Sequence, residues 1–219
     1  MPKENPVEEP SVSVSAAEQA SDWKSELLSF VKTIVFLIVI VIIFRASILE
    51  PYKIPSGSMI PTLRIGDQIL VSKLSFGIRL PFIDDIIWRY SSPKRGDIVV
   101  FTRPDDPTTS VNESKDNIIK RVIGLPGDTI EVRRRTVYIN GKALEEDYAR
   151  WDHGGPPSGN FGPEKIPADH VIVLGDNRDQ SKDSRFWNNP FLPMERLKGR
   201  ALFVYWSWDD LSRIGHWIQ

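Results

Sequence analysis

The pattern of apolar and polar positions changes twice along the chain. Residues 1–26 are rich in Pro, Glu, Ser and Ala and offer almost nothing to bury, the composition of a disordered tail. Residues 27–49 (LLSFVKTIVFLIVIVIIFRASIL) form an apolar stretch broken only by Lys32 and Arg45. The uncharged part, residues 33–44, is shorter than the roughly 18–20 residues that a hydrocarbon core requires. Lys32 and Arg45 stand near opposite ends, where long cationic side chains snorkel to headgroups, so the whole stretch is long enough to span. A buried strand is the competing reading of its β-branched run, but ten unbroken apolar residues without a turn signal favour a helix. A cleaved signal peptide is the other. The segment before the apolar run is longer and more acidic than a usual n-region, so an uncleaved anchor is expected. Lys24 and Lys32 before the core balance Arg45 and Lys53 after it, so charge gives no orientation.

From residue 50 onward the pattern is short apolar runs punctuated by Gly, Pro and Asp. Strands are predicted over residues 69–73, 97–101, 118–125, 129–132, 136–139, 171–174 and 201–206. Asn140-Gly141 is a strong hairpin signal. Without a long amphipathic helix, this series predicts a mostly β, antiparallel, barrel-like domain over residues 50–219, preceded by one transmembrane helix. Residues 142–168, with His153-Gly154-Gly155-Pro156-Pro157, read as a small irregular insertion extending that domain.

Composition narrows the chemistry. A formal net charge of -1 argues against nucleic acid as partner. Zero cysteines exclude disulfides, thiol nucleophiles and thiolate zinc sites. His153, His170 and His216 are scattered, with none in a metal-ligand pair, so no metal and no cofactor is expected. Each also has a plain structural setting: a Gly/Pro loop, a strand entry and a C-terminal neighbour of Trp217. A Ser-His-Asp site is therefore not the expectation.

Three stretches carry candidate chemistry. Ile54-Pro55-Ser56-Gly57-Ser58-Met59-Ile60-Pro61-Thr62-Leu63 places two serines in a rigid, proline-bounded turn directly after the anchor. Lys120 lies in an otherwise apolar strand, sharing a face with Ile118 and Val122. Such a lysine is either an edge residue pointing to water or a desolvated amine able to take a proton from a hydroxyl. The third stretch, residues 175–185 (GDNRDQSKDSR), is dense in residues that bond their own backbone in turns. It is either a solvated loop or a buttress of carboxylates paired to arginines.

Together these boxes resemble bacterial type I signal peptidases (leader peptidases), a family of Ser-Lys peptidases. That family carries, in order, a membrane anchor, the Ser-Gly-Ser-Met-x-Pro-Thr-Leu box, a Gly-Asp strand box, Arg-Gly-Asp-Ile-Val, Lys-Arg-x-x-Gly-x-Pro-Gly-Asp and Gly-Asp-Asn-Arg-Asp-x-Ser-x-Asp-Ser-Arg. All occur here between residues 54 and 185, after the anchor. The resemblance implies Ser58 as nucleophile, Lys120 as general base, and an oxyanion hole from the Ser56 hydroxyl and the Ser58 backbone N–H. It implies that Ser181 hydrogen-bonds the lysine amine and that Asp176, Arg121, Asp183 and Arg185 shape the site. How those four charges pair is left open. Tyr52, Ile54, Met59, Leu63, Ile69, Val100 and Ile119 correspond to walls of two shallow pockets for small side chains, or else to core packing.

The implied protein is a membrane-anchored endopeptidase on the outer face of the bacterial cytoplasmic membrane. It would cut Ala-x-Ala signal peptides from exported preproteins. Trp206, Trp208 and Trp217 fit either contact with membrane lipid or ordinary packing. The competing functions are a Ser-Lys peptidase of the self-cleaving SOS-repressor type, which the anchor and the neutral charge disfavour, and a non-catalytic β domain that binds export partners.

Overall fold

A computed structural model describes residues 16–79, 86–102, 117–151 and 160–218. The start of the expected tail and His153 with its glycine–proline run lie outside the described residues. The chain divides into two units, residues 1–43 and 44–219. The first is carried by helix α1 (Ala16–Ser47). It begins inside the stretch read as tail, because Ala16-Ala17-Glu18-Gln19-Ala20 are good helix formers. Trp23–Ile42 has a mean hydropathy of 2.3 and none of it is buried, and its 20 residues match a membrane core about 30 Å thick. The helix stops at Ser47 rather than continuing to residue 49, because Leu49 already pairs with Ser72.

The second unit is built on antiparallel sheets, as the alternating runs predict. Seven strands pair in the order β1 (Leu49–Lys53), β2 (Asp67–Ser72), β13 (Leu197–Ser207), β5 (Ile98–Thr102), β6 (Asn117–Gly124), β11 (His170–Leu174) and β12 (Leu192–Pro193). Four more pair as β10 (Phe161–Lys165), β7 (Thr129–Arg133), β8 (Thr136–Ile139) and β9 (Lys142–Ala143), and β3 (Gly77–Arg79) with β4 (Ile86–Arg89) forms a separate ribbon. Asn140 (φ 52°) and Gly141 (φ 79°) both take the left-handed turn between β8 and β9, as a type I′ hairpin requires. The segment read as an irregular insertion contributes β9 and, with a register shift between Phe161 and Glu164, β10 to this four-stranded sheet. β1 and β10 contain Pro51 and Pro163 and stand at sheet edges, where a missing backbone donor costs no ladder bond.

Three apolar clusters fill the second unit. Val99, Phe101 and Val122 belong to one, Ile123, Ile130 and Ile172 to another, and Met59, Leu63, Ile69 and Val100 to the third. Burying Met59 and Leu63 in this third cluster fixes the loop between β1 and β2 from below. From the side, that loop is held by Asp67. Its buried carboxylate accepts from the Arg64 N–H at 2.9 Å, Ser207 Oγ at 2.8 Å and Arg213 Nη2 at 2.7 Å. Arg213 Nη2 also donates to the Thr62 carbonyl at 2.9 Å, so the C-terminal segment grips the same loop.

Burial on its own would raise the Asp67 pKa. The hydrogen bonds from Arg213, Arg64 and Ser207 outweigh it and hold the carboxyl below its ordinary value. A carboxyl depressed in the fold contributes stability above the unfolded value of about pH 4 and loses it as pH falls through the folded value. Acid titration of the melting temperature is therefore expected to lose part of its decline in Asp67→Asn. Asp67→Ala, which strands the Arg213 charge, is expected to cost about 3–5 kcal/mol in urea unfolding.

Candidate active site

Ser56, Gly57 and Ser58 come from the loop between β1 and β2, which turns through a short 3₁₀ helix, Gly57–Met59. Lys120 comes from the middle of β6, where by register it lies opposite Val99. Although 62 residues apart in sequence, Lys120 Nζ and Ser58 Oγ are 2.8 Å apart, and both residues are buried, at 5% and 8% exposure. The Lys120 amine also donates to the Ile119 carbonyl at 3.0 Å. Ser56 is exposed, and its hydroxyl lies 3.5 Å from Ser58 Oγ. Lys120 is thus the desolvated amine, not the edge lysine. Neither histidine among the described residues enters this cluster: His170 Nδ1 contacts the Ala168 carbonyl, and His216 is exposed near the C-terminus.

The turn after β11 closes the site from the other side. The Asn177 N–H donates to the Ser58 carbonyl at 3.1 Å, and Asn177 Nδ2 to the Gly57 carbonyl at 3.2 Å. Gly175 makes this approach possible. A Cβ there would stand 2.6 Å from the Ser58 carbonyl oxygen and 2.3 Å from Ser181 Oγ, too close for any other residue.

The four supporting charges pair in a definite way. Arg121 Nε and Nη2 donate to the two oxygens of Asp176, each at 2.8 Å, and Asp176 also accepts from Thr62 Oγ1 at 2.5 Å. Arg185 Nε and Nη2 donate to Asp183 at 2.8 and 2.9 Å, while Asp183 accepts the Gly175 N–H at 2.9 Å. Both pairs are buried forks of the kind that combine charge with fixed geometry. The Gly-Asp-Asn-Arg-Asp box is a buttress rather than a solvated loop.

Ser181 does not make the bond to Lys120 that the resemblance implies. Its hydroxyl is buried against Gly175 without a hydrogen-bond partner, and the amine turns to Ser58 and Ile119 instead. Of the seven expected pocket residues, Ile54, Met59, Leu63, Ile69 and Val100 are closed within one apolar cluster, while Tyr52 and Ile119 are half-buried against it.

Sequence reasoning missed several members. Thr62, Asn177 and Arg178 lie inside the recognised boxes but carry no assigned role there. Asp67 lies in the Gly-Asp strand box, again with no role assigned there, while Arg213, with Glu146 and Tyr148 from the segment taken as irregular, had no local signal at all. Tyr148 lays its ring over Arg121, 3.9 Å from ring centre to Cζ, and donates to Glu146 at 3.1 Å. Burial first, then the Glu146 carboxylate, pushes the Tyr148 hydroxyl pKa well above its ordinary value, so this phenol is a fixed donor.

The Gly175→Ala variant is expected to lose at least about 1–3 kcal/mol, the cost of overpacking a closed site, since backbone oxygen cannot yield. Arg121→Met, which strands the buried Asp176 carboxylate, is expected to lose about 3–5 kcal/mol. Both are read as shifts of the urea midpoint at unchanged slope.

Residues 27–206 match the family model described as signal peptidase, peptidase S26. Signal peptidase I of Pseudomonas aeruginosa is 36% identical over 217 residues, covering 84% of this chain and 74% of that one. Signal peptidase I of Leptolyngbya laminosa is 38% identical over 207 residues, covering 94% and 92%. A probable signal peptidase I-2 of Synechocystis is 39% identical over 201 residues, covering 92% and 82%. With its buried serine and lysine in hydrogen-bond contact and most of its length matched, the chain belongs to the signal peptidase family, peptidase S26.

Proposed function

We propose that this membrane-anchored serine peptidase cuts signal peptides from preproteins through a Ser58–Lys120 pair. The observation that carries the assignment is the 2.8 Å contact between Lys120 Nζ and Ser58 Oγ, both buried. Ser58 Oγ attacks the scissile carbonyl carbon while the neutral Lys120 amine takes the hydroxyl proton. The oxyanion is received by the Ser56 hydroxyl and the Ser58 backbone N–H. Collapse of the tetrahedral intermediate breaks the C–N bond, and the proton held by Lys120 passes to the leaving amine. Water, deprotonated by Lys120, then attacks the acyl-enzyme and frees Ser58 with the signal peptide's new carboxylate.

Ser181 steadies the amine once Lys120 carries the proton and has turned from Ser58. Arg121, Asp176, Asp183 and Arg185 keep the loops in place. Tyr52 and Ile119, the half-buried members of the apolar cluster, bound the pockets, with Ile54, Met59, Leu63, Ile69 and Val100 setting their floor. Shallow pockets of this kind admit a methyl and exclude larger groups, which accounts for Ala-x-Ala.

The catalytic unit works on the outer face of the cytoplasmic membrane. The exposure of Trp208 and Trp217, with Trp206 packed edge-on against Trp208, supports reading these rings as the ones that meet lipid at the interface.

Cleavage of an Ala-x-Ala preprotein in detergent tests the assignment. Ser58→Ala and Lys120→Ala are expected to abolish the cut, and Ser56→Ala to slow it by about 10²–10³-fold, the worth of one oxyanion donor. Near-normal cutting by either of the first two variants sinks the pair. Burial disfavours an ammonium, and only the neutral amine accepts a proton, so activity is expected to rise with pH as Lys120 deprotonates and to persist in alkali. A histidine-like midpoint that moves in His170→Ala or His216→Ala would contradict the lysine base.

A further inference from the structure

The segment 146–151 lies far from the recognised boxes in sequence, yet it packs against the turn that clamps the nucleophile. Arg178 is fully buried, and its Nε donates to the Gly175 carbonyl at 3.0 Å. Its other two nitrogens fork onto Glu146, at 2.8 and 2.5 Å. The side chain of Glu146 is itself only 6% exposed. Backbone bonds join the same two segments: the Arg150 N–H donates to the Asp176 carbonyl at 2.7 Å, and the Arg178 N–H to the Arg150 carbonyl at 2.8 Å. Tyr148 ties the arrangement together, since its hydroxyl donates to Glu146 while its ring covers the Arg121 guanidinium. Glu146 therefore stands one residue away from the Gly175–Asn177 turn, through Arg178, and that turn holds the Ser58 carbonyl.

We propose that Glu146 is a positioning residue for the nucleophile, acting through Arg178 on the Gly175–Asn177 turn, with Tyr148 fixing its carboxylate. The proposal rests on the reading of Ser58 as nucleophile. A free Arg178 side chain has many rotamers; the charged fork onto Glu146, with the Trp151 ring 5.7 Å from the guanidinium, selects the one that aims its Nε at the Gly175 carbonyl. Without that aim the turn loses one of its fixed points, the Asn177 N–H drifts, and Ser58 Oγ leaves the line between Lys120 and the substrate. On the reading proposed above, the substrate pockets are bounded by residues of the apolar cluster, which includes neither Glu146 nor Arg178, so binding is left alone while turnover suffers.

The test measures kcat and KM on an Ala-x-Ala preprotein with the full chain in detergent. Wild type is compared with Glu146→Gln, Tyr148→Phe, the double variant Glu146→Gln/Arg178→Gln, and Ser58→Ala. Misplacement by about 1 Å costs on the order of 10²-fold, so Glu146→Gln is expected to lower kcat about 10- to 100-fold. KM is expected to stay within about twofold, the signature of a loss confined to the transition state. Tyr148→Phe, which removes one hydroxyl and keeps the ring on Arg121, is expected to lower kcat a few-fold at unchanged KM. The double variant is expected to melt higher than Glu146→Gln, having no stranded charge, and still to turn over slowly.

A folded Glu146→Gln with wild-type kcat, or a loss carried by KM, overturns the proposal. If Glu146→Gln does not fold, wild-type kcat in the double variant or in Tyr148→Phe overturns it instead. Undiminished cutting by Ser58→Ala would overturn the nucleophile assignment and this proposal with it, whereas the earlier outcomes overturn the role of Glu146 alone.

Discussion

The buried fork between Arg121 and Asp176 is the constraint on which the site depends. Asp176 belongs to the turn after β11, Arg121 to β6 beside Lys120, and Thr62, which donates to the same carboxylate, to the loop of Ser58. One carboxylate therefore fixes the relative positions of three segments that together supply serine, amine and clamp. A buried ion pair adds little net stability over well-packed apolar groups, but breaking it is costly, so its value lies in geometry. Apolar side chains could fill the same volume, yet they would not set the segments to within a fraction of an ångström.

The Ser58 loop holds no strand and only one short 3₁₀ turn, and it borrows much of its rigidity from its neighbours. Met59 and Leu63 anchor it in the apolar cluster, Asp67 and Arg213 hold its return, and Asn177 takes the carbonyls of Gly57 and Ser58. Each attachment comes from a different element, and the last needs a glycine opposite because two backbones meet there. A loop held in this way keeps its serine in one geometry without itself being a helix or a strand, which is what a preorganised nucleophile requires.

Much of this was legible in the chain because long motifs and period-two runs are local. The strands around Ile69, Ile98, Lys120, Ile130, Val137, Val171 and Val204 were all expected and all form. β1 escaped because Leu49 read as the end of the apolar anchor; edge pairing with β2, a tertiary fact, makes it a strand and tolerates Pro51 within it. Ser58, Lys120 and the arginine–aspartate sets were legible through the resemblance, but their pairing was not, since alternation says which face a residue takes and not which charge it meets. Ser181 is the departure: its hydroxyl is buried against Gly175 without a hydrogen-bond partner, and the order of residues in a box does not carry which tertiary partner a hydroxyl meets. Glu146 and Tyr148 had no signal, because their segment has no periodicity and their partners are some thirty residues away in sequence.

The charges around the site also bear on why arginine, and not lysine, surrounds the lysine proposed as base. Arg121, Arg178 and Arg185 are buried, and each forks onto one carboxylate: Asp176, Glu146 and Asp183. Three cations meet three anions, so the set adds no net charge near the amine. An unpaired carboxylate there would favour the ammonium and remove the base. Guanidinium is effectively never deprotonated in proteins, so these cations would not compete for the proton that the proposed mechanism passes through Lys120. The Lys120 amine itself is buried, with Ser58 Oγ and the Ile119 carbonyl within hydrogen-bond distance.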